Sequence, residues 1–170
     1  MADIRIYVAD LAAYNNGKLH EVWIDACDDL DSIQEQIQGL LADSPEELAE
    51  EYAIHDYEGF GSYGLSEFES LEKVHATAEF INEHPEIGGE LLSFYGGSLE
   101  DAKTAANENY AGSYKTVSDF AEQLTEETTE IPEKLSYYID YYRMGRDMEL
   151  NGDIYTIEIG FEDVRIFWAH

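Results

Sequence analysis

The sequence predicts an α+β protein, laid out as an elongated chain of three small modules. These are an N-terminal α+β domain over 1–61, a central helical bundle over 62–109 and a C-terminal α+β domain over 110–170. Three observations lead there. Period-two apolar alternation is confined to the two ends of the chain, helical periodicity fills the middle, and stretches rich in Gly or Asn mark the joins. Hydrophobic residues make up 44% and aromatics 13%, so the chain has the material for packed cores despite its charge.

Ile4 to Asp10 places Ile6 and Val8 on one face with Ile4, and Leu19 to Asp25 follows with Val22 and Trp23; both read as strands. Tyr14-Asn15-Asn16-Gly17-Lys18 between them has the residues that tolerate a left-handed turn. A helix starts near Asp29 to Asp31, acids suited to its positive dipole end, and turns Ile33, Ile37, Leu40 and Leu41 to one side. Ser44-Pro45-Glu46-Glu47 has the composition of a second, short helix start, and Tyr52 to Glu58 returns as a third strand.

Gly59 to Gly64, reading GFGSYG, marks the first join as a flexible connector. Ser66 with Glu69 forms a capping-box pattern, opening a helix that runs to Glu83 before His84-Pro85 stops it. On a helical wheel Leu71, Val74, Ala78 and Ile81 share one arc, and Glu69, Glu72, Glu79 and Glu83 the opposite one. Shorter helices follow over Glu86 to Tyr95 and Ser98 to Glu108. In the third module Tyr110 to Tyr114 is compatible with a strand. Val117 to Thr128 is a helix with Phe120, Ala121 and Leu124 inward and Asp119, Glu122, Glu126, Glu127 and Glu130 outward.

Leu135 to Leu150, LSYYIDYYRMGRDMEL, reads as one helix whose apolar residues span roughly 240° of the wheel, wider than one neighbour can cover. Asn151-Gly152 ends it, and Ile154 to Ile159 with Val164 to Trp168 form a terminal hairpin. The excess apolar surface, Tyr141, Tyr142, Met144, Met148, Phe167 and Trp168, is expected to be shared between the module's core and a homodimer contact. An unusually buried helix in a monomer would give the same pattern.

The chain carries 38 acids against nine bases, a net charge of −29 in 170 residues. From Leu19 to Glu72 there are 54 residues with no Lys or Arg and 16 acids. Such a field repels nucleic acid and attracts a basic groove. The N-terminus has no basic leader or apolar signal core, and no apolar run reaches membrane-spanning length, so a soluble cytoplasmic protein that does not engage membranes is expected.

No catalytic or metal constellation emerges, and the expectation is a protein that is not an enzyme and holds no cofactor. Gly59-x-Gly61-x-x-Gly64 matches the dinucleotide fingerprint, but a pyrophosphate would have to settle among Asp56, Glu58, Glu67 and Glu69. The five histidines show no paired-ligand spacing. Asp25-x-x-Asp28-Asp29-x-Asp31 lacks the glycine and closing Glu of a calcium loop. Cys27, the only cysteine, reads as a small half-buried hydrophobe rather than a nucleophile.

What remains is the charge itself. Two copies of the chain would carry about 58 net negative charges, the phosphate charge of roughly 100 Å of duplex. A single 170-residue globule, with a radius of gyration of about 15 Å, cannot spread its acids along such a track, whereas three modules in a row can. The acids this assigns to a DNA-mimic surface are Glu46, Glu47, Glu50, Glu51, Asp56, Glu58, Glu69, Glu72, Glu79, Glu83, Glu86, Glu100, Asp101, Asp119, Glu122, Glu126, Glu127 and Glu130. Two other readings share the charge: an acidic binder or chaperone of basic proteins, and a salt-adapted protein without mimicry.

Three segments bring a resemblance. IYVADLAAYNNGKLHEVWID (Ile6 to Asp25), IHDYEGF (Ile54 to Phe60) and YYIDYYRMGRDMELNGDI (Tyr137 to Ile154) are similar to the ArdA antirestriction proteins of conjugative plasmids and transposons. The resemblance implies a curved three-domain protein, dimerising through its C-terminal domain, that mimics bent B-form DNA. It also implies a partner: the DNA-binding groove formed by the specificity and methylase subunits of type I restriction-modification enzymes. The sequence departs from the family at Tyr142, where an acid is expected, and at Gly145, where Ala is commoner; both bear on the balance of antirestriction and antimodification.

Overall fold

The structure, a computed structural model, describes residues 3–169. It is α+β, with helices and two small antiparallel sheets, and the chain falls into two compact units, one running to Ala102 and the other starting at Lys103.

In the first unit, β1 (Arg5–Asp10) is the central strand of a sheet ordered β2-β1-β3, with β2 at Glu21–Asp25 and β3 at Tyr52–Glu58. Both neighbours run antiparallel to β1, pairing Ile6 with Ile24 and with Tyr57. The alternation of β1 sends Ile6 and Val8 into a fully buried layer, because alternate side chains of a strand share one face. A short helix, α1 (Leu11–Asn15), precedes the expected turn, where Gly17 takes a φ of 73°. The Asp10 carboxylate accepts hydrogen bonds from the amides of Ala12 and Ala13, a cap invisible to periodicity in so short an element.

Helix α2 (Leu30–Ala42) buries Ile33, Ile37, Leu40 and Leu41 as its spacing requires, against β1, β2 and α3. The Ser44 to Glu47 segment forms turns, not a second helix; its Glu46 amide donates to Ser44 Oγ. Helix α3 is Leu71–Glu83, shorter at its start than the capping-box pattern suggested. Ser70, not Ser66, is the cap, accepting from the Lys73 amide at 3.3 Å, while Ser66 closes a turn onto Glu69. Helix α4 (Gly88–Phe94) packs on α3, and α5 (Leu99–Thr104) continues into a π-helical turn over Ala105–Asn109.

The GFGSYG segment is a packed turn rather than a loose connector. Phe60 is 1% exposed, and a β-carbon at Gly59, whose φ is +85°, would run into the backbone of Asp3 and Ile4. Gly89 at the start of α4 lies against the Phe60 carbonyl. Close backbone contact, and not freedom of motion, is what these glycines provide.

In the second unit, β4 (Tyr110–Tyr114), β5 (Ile154–Gly160) and β6 (Asp163–Trp168) form an antiparallel sheet ordered β4-β6-β5. Helix α6 (Val117–Thr128) and helix α7 (Tyr141–Leu150) pack on each other and on this sheet, around Phe120, Ile154 and Ile166. The long helix expected from Leu135 to Leu150 is broken in two. A 3-10 segment, Glu133–Tyr138, buries none of its side chains, and α7 begins afresh where Asp140 accepts from the Arg143 amide at 3.0 Å. The break explains the overly wide apolar arc: Leu135, Tyr137 and Tyr138 do not belong to the wheel on which Met144 and Met148 turn inward.

Candidate functional site

The acids are unevenly divided. The residues up to Ala102 contain 24 acids and three bases, and those from Lys103 contain 14 acids and six bases. Each of the first unit's three bases faces a carboxylate: Arg5 Nε lies 2.7 Å from Glu58, Lys18 Nζ 2.6 Å from Glu46 and Lys73 Nζ 3.9 Å from Glu69. Arg5 also lies over the Trp23 ring, 4.5 Å from its centroid. The negative field of this unit is therefore broken only where a pair already neutralises it locally.

Secondary structure aims the acids outward. On α3 the buried positions Leu71, Val74, Ala78 and Ile81 leave Glu72, Glu79 and Glu83 on the solvent side, with Glu79 Oε1 3.2 Å from His75 Nε2. Carboxylates four residues apart on a helix are separated by roughly 6 Å along its axis. On α6, Thr116 Oγ1 accepts from the Asp119 amide and fixes the start; with Phe120 and Ala121 buried, Asp119, Glu122, Glu126 and Glu127 are exposed. Glu130 follows the helix, and Glu86 and the α5 residues Glu100 and Asp101 are also exposed.

On β3 both Asp56 and Glu58 face solvent, as do Glu47, Glu50 and Glu51 in the preceding loop. That loop holds Leu48 at a φ of 61°, unusual for a residue with a branched side chain. Glu46 and Glu69 differ from the other assigned acids: both are half-buried and paired with a lysine. Several acids outside the assigned set prove equally exposed, namely Asp28, Asp29, Asp31, Glu35 and Asp43. The outer face of α2 was the available cue, since Asp31 and Glu35 are one turn apart and opposite its buried residues.

The apolar residues proposed for subunit contact mostly serve their own unit. Phe167 is wholly buried, with the Tyr155 ring stacked on it and the Tyr110 ring tilted by 31°, both at centroid distances of 5.2 Å. Met148 and Trp168 pack against the Phe120 cluster, and Met144 Sδ lies 3.1 Å from Thr125 Oγ1. Tyr141 is half-buried; burial, then Glu126 and Glu122, push its phenol pKa up. Of the six, Tyr142 alone is exposed, at 71%. Leu135, Tyr137, Tyr138 and Leu150 are exposed within eight residues of it in sequence, and Phe161 is exposed in the turn between β5 and β6.

Other expected chemistry can be placed. Cys27 is half-buried, with Sγ donating to the Ala78 carbonyl at 3.6 Å; burial pushes its thiol pKa up, and Asp25, Glu79 and Asp28 add to the shift. Among the described residues no group of three or more His, Cys, Asp or Glu side chains is arranged to hold a metal. No helix among them is long and apolar enough to cross a membrane.

Fold and surface together define a small, strongly acidic α+β protein with most of its carboxylates at the surface. Its particular kind follows from comparison: a family model described as "Antirestriction protein (ArdA)" matches residues 6–163, and the chain belongs to that family. The family consists of inhibitors rather than enzymes, and membership carries an antirestriction function exerted on restriction enzymes. No curated protein matches the chain.

Proposed function

We propose that the protein is a DNA mimic that occupies the DNA-binding channel of type I restriction-modification enzymes, at their specificity and methylase subunits, and blocks both restriction and modification. The observation that carries this reading is the outward placement of carboxylates, on α3 and α6 and at Glu47, Glu50, Glu51, Asp56 and Glu58, in a chain whose first-unit bases are already paired. A channel lined with Lys and Arg would meet fixed carboxylates in place of phosphates, and counterions would be released from both surfaces.

The proposal includes the finer organisation expected from the sequence: division at about residues 61 and 109, an elongated arrangement, and a homodimer formed by the C-terminal domain. Exposed Tyr142 and its exposed neighbours Tyr137, Tyr138 and Leu150 supply apolar surface for that contact. Small-angle scattering with light-scattering detection checks the shape and the dimer together.

The deciding experiment is competition. Purified protein is titrated against a type I methylase bound to its cognate duplex. Stoichiometric displacement of DNA, weakening steeply with salt, is expected. Equal binding to polylysine or free histones would favour a general acidic chaperone, and unfolding below molar salt would favour a salt-adapted protein.

A further inference from the structure

Charge alone does not account for Phe68. Its side chain is 69% exposed in the turn between β3 and α3, and an apolar ring adds nothing to a phosphate-like field. It lines a hollow of about 400 Å³ together with Leu11, Tyr52 and the carboxylate residues Glu50, Glu51 and Glu69. The lining comes from three separate places in the chain: the start of α1, the entry to β3 and the turn before α3.

Backbone hydrogen bonds hold those walls in register. The Leu11 amide donates to the Glu51 carbonyl at 3.1 Å, and the Ile54 amide donates to the Glu67 carbonyl at 2.9 Å, tying the Phe68 turn to β3. Glu69 N donates to the Ser66 carbonyl at 3.2 Å and closes the turn itself. A site held in this way loses little conformational freedom on binding.

Two aromatic rings and a leucine lining one hollow with three glutamates suit one kind of guest: a side chain with an apolar stem and a cationic end. Arginine fits better than lysine, since its guanidinium is planar, weakly hydrated and able to stack on a ring while donating to two carboxylates. Glu69 already has a lysine partner, Lys73, whose Nζ stands 3.9 Å away, a long surface pair that a better donor can exchange.

Building on the DNA-mimic reading, we propose that the hollow lined by Phe68, Tyr52 and Leu11, with Glu50, Glu51 and Glu69, receives a single arginine side chain of the partner's DNA-binding surface. It is an anchor within an otherwise distributed interface. Displaced DNA has no counterpart to it, so the mimic gains selectivity that phosphate-like charge cannot supply.

The test uses the full chain and two readouts. N-acetyl-arginine amide is titrated into isotope-labelled protein at low salt, followed by amide chemical shifts, with the citrulline and lysine analogues as comparison. Saturable shifts centred on Tyr52, Phe68 and Glu69 are expected with arginine, weaker ones with lysine and none with citrulline. Phe68→Ala alters no charge and removes an exposed side chain, so it should abolish these shifts while the remaining spectrum stays the same. Arginine shifts spread over every acidic face, or unchanged in Phe68→Ala, would overturn the site. In the methylase competition Phe68→Ala should weaken inhibition about five- to tenfold. Undiminished inhibition overturns the hollow's part in partner binding. Wild-type protein that fails to inhibit the methylase at all refutes the mimic reading instead, and the arginine titration still decides the hollow.

Discussion

Gly145 in the middle of α7 faces Val117 at the start of α6 so closely that a β-carbon there would lie 2.9 Å from Val117 Cγ1 and 3.1 Å from the Val117 carbonyl oxygen. Gly145 is thus fitted to its neighbour, with no room for a larger residue. Gly145→Ala should destabilise the second unit by about 1–3 kcal/mol through overpacking, although Ala is the better helix former. Denaturant titration followed by Trp168 fluorescence checks it, and Val117→Ala in the same background should recover part of the loss. A stabilised Gly145→Ala protein would contradict the described helix crossing.

Gly89 and Phe60 make the corresponding contact in the first unit. A β-carbon at Gly89 would fall inside van der Waals contact of the Phe60 carbonyl, which belongs to backbone and cannot swing aside. Gly89→Ala is expected to destabilise by a few kcal/mol, about the upper end of overpacking effects, whereas Gly39→Ala on the open face of α2 should stabilise by about 0.5–1 kcal/mol. Thermal unfolding of the two variants gives the comparison. Equal melting points would mean that the glycine segment is loose after all.

Arg165, 8% exposed, is held by Asp163 through contacts of 2.7 and 3.1 Å, and Ser113 Oγ donates to the same carboxylate at 3.0 Å. The arginine first, and then the serine, lower the Asp163 pKa below its ordinary 3.8. In acid the unfolded chain therefore takes up a proton before the native one does. The contribution is complete above pH 3.8 and drains away as the pH falls through the native value. Asp163→Asn should lower the unfolding midpoint at neutral pH, and the gap from wild type should close below about pH 4. A gap that persists unchanged in stronger acid would exclude the ionic contribution.

Glu72, Glu79 and Glu83 have no shared role that one residue could abolish. Replacing them stepwise with Lys should weaken methylase inhibition progressively, by up to about fivefold per step at low salt, because exposed charges act additively and weakly. The steps should shrink as salt rises. Complete loss from any single replacement would point to a lock-and-key site and away from a distributed charged face.

Much of this was legible from the chain. β1, β2, β3, β5 and β6, with α2 and α6, follow from alternation at two and 3.6 residues, since one face of each must leave water; β4, with none of its side chains buried, carries no such pattern. The opposite faces, with their acids, follow by subtraction. Charge and the three ArdA-like segments indicated the family, because both are properties of composition and order along the chain and need no coordinates.

Spatial neighbours of distant sequence were not legible. Asp10 capping α1, Ser70 displacing Ser66 as a cap, and Asp140 restarting a helix in the middle of an apolar run are local contests between competing hydrogen bonds, settled by packing elsewhere. Phe167 looked available for a partner, and its burial against Tyr110 and Tyr155 depends on which strand lies beside which. The hollow around Phe68 has the same origin: segments some 60 residues apart meet there. The amino-acid order by itself determined the charge, the faces and the kinship, since each is set by residue type and period. Only the tertiary structure decided which glycines touch backbone, which aromatics are core and which acids share a pocket, because those depend on contacts closed across long loops.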